Sequence, residues 1–344
     1  MKAGVLTAPQ RIEIQEIEKP AIGSRDVLVR LRYCGICTLE QRMYTGQMKF
    51  RYPVIPGHEA SGVVEEIGEE VGLLRQELKP GTRVALDLVS RCGECYYCRI
   101  GASNLCANRY KDGKRILGGF GEYRAVSSKQ VFPVSEALPL EAAAFAEPVA
   151  CCIRSLKKIE LSLAEDLLIV GAGPMGMMHI LVGLCMGARI FVSDPDAERL
   201  KAASRLGAYL TIDPTREDLP AIVRNQTEGR GVDACVVTSP AAAALESAFA
   251  STGHNGRINI YTSYNEKLSL PMDANSIHKF EILVTGSEGR TEEDFLQAVR
   301  LLDFGKVDVS SLISRKVPFS GLEEGIKAAM ASSTYRVLLD HEAG

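Results

Sequence analysis

A buried strand that leads through a glycine turn into a helix constrains this chain more than any other feature of its sequence. Residues 167–170 are all apolar, and the G-x-G-x-x-G pattern of residues 171–176 joins them to an apolar helical run. Gly171 permits the tight turn, Gly173 lets the backbone approach a pyrophosphate, and Gly176 lets the helix pack closely on the strand. The helix N-terminus then attracts the anion. The pattern predicts a dinucleotide-binding turn, with an ordinary turn of a parallel sheet as the alternative. The expected contacts are Gly171, Gly173, Pro174, Met175 and Gly176.

An acidic residue at the end of the next apolar strand supports this interpretation. The strand at 190–193 ends at Asp194, which follows the turn by about 20 residues, the place where a carboxylate binds ribose hydroxyls. That carboxylate also repels a 2′-phosphate, which favours NAD over NADP. Arg199, in the following helix, is compatible either with a 2′-phosphate or with a place beside the adenosine. The sequence therefore predicts NAD as the cofactor.

Length, charge and cysteine usage restrict the class of protein. The chain has 344 residues, which is enough for two domains of about 150 residues. Its net charge of −3 gives no electrostatic basis for binding nucleic acid or an anionic membrane. No apolar run reaches the ~18 residues of a membrane span, and the N-terminus lacks a signal-peptide pattern. The ten cysteines are clustered, which favours a reducing cytoplasm and metal binding over a secreted disulfide framework.

The pattern of predicted strands and helices changes at about residue 151 and again at about residue 285. Residues 1–150 are β-rich, and their short strands bounded by glycine and proline predict a compact barrel-like fold. From 151 to 284, apolar strands alternate with helices, which is typical of an α/β doubly wound parallel sheet. The elements predicted after residue 170 are helices at 174–186, 197–206, 241–251, 292–303 and 322–330, and strands at 234–238, 257–261 and 335–339.

Four regularly spaced cysteines form the most specific local signal in the chain. Four thiolates on a short glycine-containing lobe, at about residues 90–110, can surround a zinc ion tetrahedrally and leave no position for water. Such a site is structural, since metal binding and folding of the lobe are one event. The alternatives are an iron–sulfur cluster or four unrelated thiols. The predicted ligands are Cys92, Cys95, Cys98 and Cys106.

A second, looser set of candidate ligands precedes and follows the quartet. A cysteine of the 34–37 segment, Cys34 or Cys37, with His58, Glu59 and, much later in the chain, Glu147, offers one thiolate, one imidazole and one carboxylate. Together they can form an open zinc site with a free position for water, which is the arrangement of catalytic zinc. The alternative is that these residues are buried or solvent-exposed without binding a metal. Of the remaining cysteines, Cys151, Cys152, Cys185 and Cys235 are interpreted as buried apolar residues. His179, His254, His278 and His341 are interpreted as structural or exposed.

Several motifs in a fixed order resemble the zinc-dependent medium-chain dehydrogenase/reductase family over nearly the whole chain. The closest resemblance is to its sorbitol, polyol and threonine dehydrogenase branch. The motifs are Cys-Gly-Ile-Cys at 34–37, Pro-Gly-His-Glu-Ala-Ser-Gly at 56–62, the cysteine quartet, Gly-Gly-Phe-Gly-Glu-Tyr at 118–123, Ala-Glu-Pro at 146–148 and the glycine turn.

The resemblance implies a GroES-like catalytic domain, residues 1–150 and 285–344, and a Rossmann NAD-binding domain, residues 151–284, with the active site in the cleft between them. It implies catalytic zinc on Cys37, His58 and Glu59, with Glu147 as an alternative or exchanging ligand, and structural zinc on the quartet. It also implies a dimer or tetramer. The implied nucleotide contacts are the glycine turn, Asp194, Arg199, Tyr261, Thr262, Gly286 and Ser287.

One departure from the family pattern concerns the proton. Relatives commonly carry a serine or threonine, an aspartate and a histidine where this chain has Leu39, Glu40 and Arg42. The hydroxyl and the histidine of the usual relay are therefore missing, although Glu40 can support His58 as aspartate does. Glu59 adjoins His58 and is expected to be the fixed ligand. Glu147 is then expected to be free to swing, and either to ligate zinc or to take the proton through water.

The leading functional hypothesis is NAD-dependent oxidation of a secondary alcohol, either a polyol or a sugar-derived alcohol, and the reverse reduction. Zinc would lower the pKa of the alcohol, and the fold would align the carbon and the nicotinamide. Two alternatives from other classes are a non-catalytic relative that keeps both binding sites and a redox sensor that uses its thiols.

Overall fold

The structure is a computed structural model that describes residues 1–48, 50–109, 117–264, 267–271 and 274–343. The chain forms two compact units: unit 1 comprises Met1–Ala150 and Arg290–Gly344, and unit 2 comprises Cys151–Gly289. The expected boundary at 285 falls inside a strand of the unit 2 sheet, so the observed boundary lies further along the chain. The expected end of the cysteine lobe, at 110, lies outside the described residues.

Strands and helices of the described residues are numbered in chain order. The strands are β1 Lys2–Ala8, β2 Arg11–Glu16, β3 Asp26–Gly35, β4 Glu59–Ile67, β5 Arg83–Asp87, β6 Tyr123–Ser127, β7 Val131–Pro133, β8 Asp166–Val170, β9 Arg189–Ser193, β10 Leu210–Ile212, β11 Val232–Val237, β12 Thr252–Ile260, β13 Leu283–Gly286, β14 Ile313–Val317 and β15 Arg336–Asp340. The helices are α1 Thr38–Thr45, α2 Val71–Leu74, α3 Tyr96–Arg99, α4 Leu140–Ala143, α5 Ala146–Lys158, α6 Pro174–Cys185, α7 Ala197–Arg205, α8 Leu219–Gln226, α9 Ala242–Ser251, α10 Ala274–Phe280, α11 Glu292–Asp303 and α12 Leu322–Ala329.

Unit 2 contains a parallel sheet with the strand order β10-β9-β8-β11-β12-β13. All five residues of β8 are buried, as expected for a central strand covered on both faces. The chain proceeds outward from β8 to β10 and then resumes at β11 on the other side of β8. The predicted doubly wound sheet is confirmed, and ligands of such sheets bind at the carboxyl ends of the strands where the order reverses.

Unit 1 contains a sheet with the order β14-β15-β3-β4-β5-β7, in which β6 also pairs with β3, and the separate hairpin β1-β2. The C-terminal strand β15 pairs antiparallel with β3, so the end of the chain completes a sheet begun near its start. The apolar core of the unit accordingly mixes both ends, with Val29 and Leu31 packed in one cluster with Val337 and Leu339.

The predicted elements agree with the structure apart from their ends. Helix α11 has the expected bounds, whereas β11 and β12 begin earlier than predicted. The prediction that Cys185 is buried is wrong, because Cys185 is the last residue of α6 and is exposed. Among the described residues, no helix combines the length and apolar character that a membrane span requires.

Candidate active site

The start of helix α1 brings together two loops that carry candidate metal ligands. Glu40, the third residue of α1, accepts a hydrogen bond from the backbone N–H of Cys37 at 3.0 Å and from that of Gly57 at 3.2 Å. A carboxylate at this position that reaches back to the residue before the helix is a common helix start. The same side chain lies 2.7 Å from Nδ1 of His58. The expected support of His58 by Glu40 is therefore confirmed.

Three different donor atoms converge beside this helix. Cys37 Sγ, a ring nitrogen of His58 and a carboxylate oxygen of Glu59 all lie within 4.8 Å of one another. Since Nδ1 of His58 faces Glu40, Nε2 is the nitrogen available for a metal. Thiolate, imidazole and carboxylate are the donors that zinc takes in proteins. Oε1 of Glu59 is buried and accepts no hydrogen bond from the described residues, so the residues present fit a zinc ion.

The carboxylate of Glu59 reaches its place across a glycine of the neighbouring strand. Gly35 at the end of β3 is paired in register with Glu59 at the start of β4. A Cβ on Gly35 would overlap Oε2 of Glu59, so the missing side chain makes room for the carboxylate. Oε2 then lies 3.1 Å from Nε of the buried Arg336 on β15. Burial raises the pKa of Glu59, and the guanidinium opposes this shift.

Glu147 lies beside these three donors but outside the 4.8 Å group. It is in the first turn of α5, and its Oε2 is 4.0 Å from Nε2 of His58. Its Oε1 is held by Nη1 of Arg290, which differs from the expectation that Glu147 is free to swing. Burial acts against the charged imidazole of His58, but the carboxylates of Glu40 and Glu147 raise its pKa well above the ordinary value. The excess negative charge also favours a cation here.

A buried chain of charges fixes Glu147, and sequence reasoning did not find it. Nη2 of Arg290 lies 2.8 Å from Oδ1 of Asp87, and the other oxygen of Asp87 lies 2.6 Å from Nη1 of Arg91. Arg91 also donates to the backbone carbonyl of Arg290 at 2.7 Å. The one sequence signal was a charged residue, Asp87, directly after the apolar residues 84–86 of strand β5. Nothing in the sequence around Arg290 indicated that it would bind Glu147.

Leu39 does not replace the missing hydroxyl. Its side chain is half-buried and packs against the apolar core of unit 1. The position therefore supplies no group that could transfer a proton.

The cysteine quartet forms a second candidate metal site. The four Sγ atoms of Cys92, Cys95, Cys98 and Cys106 lie within 4.8 Å of one another. Backbone N–H groups of Glu94 and Cys95 lower the pKa of Cys92 to about 6, whereas burial and the neighbouring thiol of Cys95 raise that of Cys98 to about 12. Four sulfurs this close can all be thiolates only beside a cation, so this set also fits zinc.

The glycine turn of unit 2 leaves an open cradle at the end of β8. Gly171 has φ of +107°, which favours glycine, and a Cβ on Gly176 would overlap the carbonyl oxygen of Gly171. A Cβ on Gly173 would meet only Nη1 of Arg199, at 3.8 Å. The backbone at Gly173 is thus open to a ligand. Pro174 is the first residue of α6 and Met175 the second, so the N-terminus of the helix begins at this cradle.

Asp194 lies beside the same turn, although both of its oxygens are used by the protein. Oδ2 accepts from the backbone N–H of Ala172 at 2.7 Å, and Oδ1 accepts from that of Asp196 at 2.9 Å. Nη1 of Arg199 lies 3.9 Å from Oδ2. The carboxylate therefore fixes the turn, which is a role that sequence reasoning missed.

The remaining expected nucleotide contacts follow two neighbouring strands. Tyr261 and Thr262 come directly after β12, and their backbone N–H groups donate to the carbonyl of Val237 at 3.0 and 3.2 Å. Gly286 ends β13, and Ser287 follows it. Because parallel strands end at the same edge, these residues share the edge of the sheet with the glycine turn.

Comparison with known proteins adds to this geometry. Residues 23–136 match the family described as alcohol dehydrogenase GroES-like domain, and residues 174–303 match zinc-binding dehydrogenase. The chain is 29% identical to D-arabitol-phosphate dehydrogenase of Enterococcus avium, over 94% of this chain and 92% of that protein. It is 30% identical to L-threonine 3-dehydrogenase of Mesorhizobium japonicum, over 96% and 95%. A crystal structure from Sinorhizobium meliloti, described as a zinc-binding dehydrogenase bound to NADP, has a TM-score of 0.91 at 27% identity and 99% coverage of both chains.

Proposed function

The chain belongs to the family of zinc-binding alcohol dehydrogenases, and we propose that within it the chain oxidises a secondary alcohol with NAD and catalyses the reverse reduction. The substrate class is a polyol or a sugar-derived alcohol. One relative is named for a polyol phosphate and another for the 3-position of threonine, which is also a secondary alcohol. The observation that carries the proposal is the convergence of Cys37, His58 and Glu59, with Glu147 beside them.

The residues in and around the metal set, which is Cys37, His58 and Glu59, have distinct tasks. Zinc, when bound, supplies a Lewis acid that lowers the pKa of an alcohol hydroxyl. Glu40 fixes the ring of His58 through Nδ1 and leaves Nε2 free to ligate. Arg336 offsets the charge of Glu59 through its contact with Oε2. Cys37, His58 and Glu59 are the ligands that we assign, and the cysteine quartet is the structural set.

We assign the alcohol proton to Oε2 of Glu147. Arg290 binds the other oxygen, so Oε2 is the one directed toward the metal set, 4.0 Å from Nε2 of His58. In oxidation the substrate loses this proton and a hydride, and the ketone remains. The nicotinamide, when bound, supplies the hydride acceptor. The alternative is that Glu147 is an exchanging zinc ligand, and zinc content separates the two roles.

NAD is the proposed cofactor because Asp194 adjoins the glycine turn. A fixed carboxylate at this edge accepts ribose hydroxyls and repels a 2′-phosphate. Arg199 lies close enough to Asp194 to offset part of its negative charge. We therefore propose that the chain prefers NAD but also binds NADP. The proposed nucleotide contacts remain the glycine turn, Asp194, Arg199, Tyr261, Thr262, Gly286 and Ser287.

We also propose a homo-oligomer, either a dimer or a tetramer, in a reducing cytoplasm. β13 is an edge strand of the unit 2 sheet, and its Leu283 is 43% exposed. An edge strand with an exposed apolar residue is suited to pairing with a second copy. All ten cysteines are free thiols, which suits a reducing compartment.

The function is tested with a panel of polyols, sugar phosphates and amino alcohols, scored by formation of NADH. On the best substrate, Glu147→Gln should cut turnover by about a hundredfold or more, as removal of a general base does. NAD affinity and zinc content should stay at the wild-type values. Glu141→Gln is the matched control, since Glu141 pairs with Lys316 on a partly exposed surface.

Two results would contradict these assignments. If no alcohol in the panel is oxidised although zinc and NAD are bound, the proposed activity is wrong. If Glu147→Gln loses zinc along with turnover, Glu147 is a ligand and not the proton acceptor.

A further inference from the structure

Strand β12 of unit 2 carries an amide where neighbouring positions carry apolar side chains. Asn259 is 0% exposed and is paired in register with Val236 of β11. A buried amide is costly unless it is hydrogen-bonded. Its Nδ2 donates to Oγ of Ser155 at 2.7 Å and to Oγ of Ser287 at 3.0 Å. The nearby carbonyl of Ser155, at 3.3 Å, can only accept, which identifies this atom as the donor nitrogen.

The hydrogen bonds continue from Ser155 into helix α6. Oγ of Ser155 lies 2.8 Å from Nε2 of His179, and Nδ1 of His179 lies 2.8 Å from the carbonyl oxygen of Met175. Burial lowers the pKa of His179 to about 4, so the ring is neutral and has one N–H. Since a carbonyl only accepts, that N–H is on Nδ1, and Nε2 accepts from the Ser155 hydroxyl. The bonds therefore run in one direction from Asn259 to Met175.

The two ends of this network lie at the two parts of the proposed nucleotide site. Met175 is in the first turn of α6, beside the glycine cradle, and Ser287 directly follows β13. Tyr261, which follows β12, packs edge-on against His179 with 4.8 Å between ring centroids. The network thus joins the turn assigned to the pyrophosphate to the stretch assigned to the nicotinamide.

We propose that Asn259, Ser155 and His179 are positioning residues that hold the Ser287 stretch at a fixed distance from the pyrophosphate turn. None of the three is among the proposed nucleotide contacts, and the network that they form ends at Met175 and Ser287. Apolar side chains would fill the same buried space, but hydrogen bonds are directional and also restrict how the groups that they join can be arranged. This inference rests on the proposed function, since it assigns the nicotinamide to the Ser287 side of the edge.

The test compares two ligands that differ only in the nicotinamide. Affinities for NAD and ADP-ribose are measured by calorimetry on the full chain and on two variants, Asn259→Leu and Ser155→Ala. Asn259→Leu removes the bond to Ser287, and Ser155→Ala removes the hydroxyl that lies between Asn259 and His179. In each variant NAD affinity should fall by about five- to tenfold, the worth of one hydrogen bond. ADP-ribose affinity should stay within about twofold, because the pyrophosphate turn keeps its own bonds. Ser155→Ala removes a single oxygen atom, so it tests the proposal if Asn259→Leu does not fold.

The control is Cys235→Val on β11, which alters a buried residue of the same sheet. Cys235 is 0% exposed, and its substitution should leave both affinities unchanged. Equal losses for NAD and ADP-ribose, or no loss for either, in Ser155→Ala would overturn the positioning role. Failure of the wild-type chain to bind NAD or ADP-ribose would instead overturn the proposed function on which the inference rests.

Discussion

Asp194 shows how one residue can serve both the structure of a site and its specificity. Its two oxygens accept backbone hydrogen bonds from Ala172 and Asp196, so they hold the glycine turn against the loop after β9. The carboxylate lies beside the glycine turn, at the edge where the nucleotide is proposed to bind. A substitution that removes the side chain therefore affects both the stability of the turn and the binding of the nucleotide. The two effects can be measured separately.

The first prediction separates the two roles of Asp194. Asp194→Ala should weaken NAD binding by about 1–3 kcal/mol and lower the Tm, because the turn loses its acceptors. Asp194→Asn keeps an acceptor for Ala172, so the Tm should stay near the wild-type value. The preference for NAD over NADP should become smaller, because the negative charge is lost. Calorimetry with NAD and NADP and thermal unfolding measure both effects. A wild-type chain that already prefers NADP would contradict the assignment.

At the level of secondary-structure elements, three adjacent strands place the carboxylate of Glu59 in the candidate zinc site. β15, β3 and β4 are neighbours in the unit 1 sheet. They supply Arg336, Gly35 and Glu59, and the glycine in the middle strand lets the two charged side chains meet. Cys37 supplies the thiolate from the start of α1, shortly after Gly35 ends β3.

The second prediction concerns that glycine. Gly35→Ala should displace the Glu59 carboxylate and weaken zinc at this site by about ten- to hundredfold, the usual effect of disturbing the residues that orient a ligand. Zinc at the quartet should be retained. Zinc content is measured during titration with a chelator. Gly72→Ala is the control, since a Cβ there would only meet Ile67 at an ordinary 3.7 Å. Equal zinc retention in both variants would show that Glu59 does not need this space.

At the level of the whole molecule, both family assignments are confirmed. The chain combines a GroES-like domain with a Rossmann-type parallel sheet, as the resemblance implied. Each metal set lies within unit 1, and the nucleotide edge lies within unit 2. The two candidate metal sites differ in kind, since one has four identical donors and the other has mixed donors beside the buried carboxylate of Glu147.

The third prediction is that the chain holds two zinc ions with unequal roles. Chelation should remove the ion at Cys37, His58 and Glu59 first and abolish activity while the fold persists. Cys95→Ser should instead lower the free energy of unfolding, because a closed four-cysteine site contributes folding energy. Elemental analysis and thermal unfolding provide the measurements. One zinc ion per chain, or none, would contradict the assignment of two sites.

Sequence by itself determined the features that depend on neighbouring residues. The glycine turn, the cysteine quartet and the Cys37–Glu40 helix start each occupy a short window, in which the backbone restricts what the side chains can reach. Alternation of apolar strands and helices likewise determined the parallel sheet, because its buried strands must be apolar along their length.

Tertiary structure alone decided which distant charges meet. Arg290 and Asp87 are far apart in sequence, and nothing local indicates that they together hold Glu147. The same is true of Asn259, whose partners Ser155 and Ser287 come from a helix and from the end of another strand. Most buried polar groups are hydrogen-bonded, but this tendency does not say which group is the partner. Strand order and register make that choice, and they are properties of the folded chain.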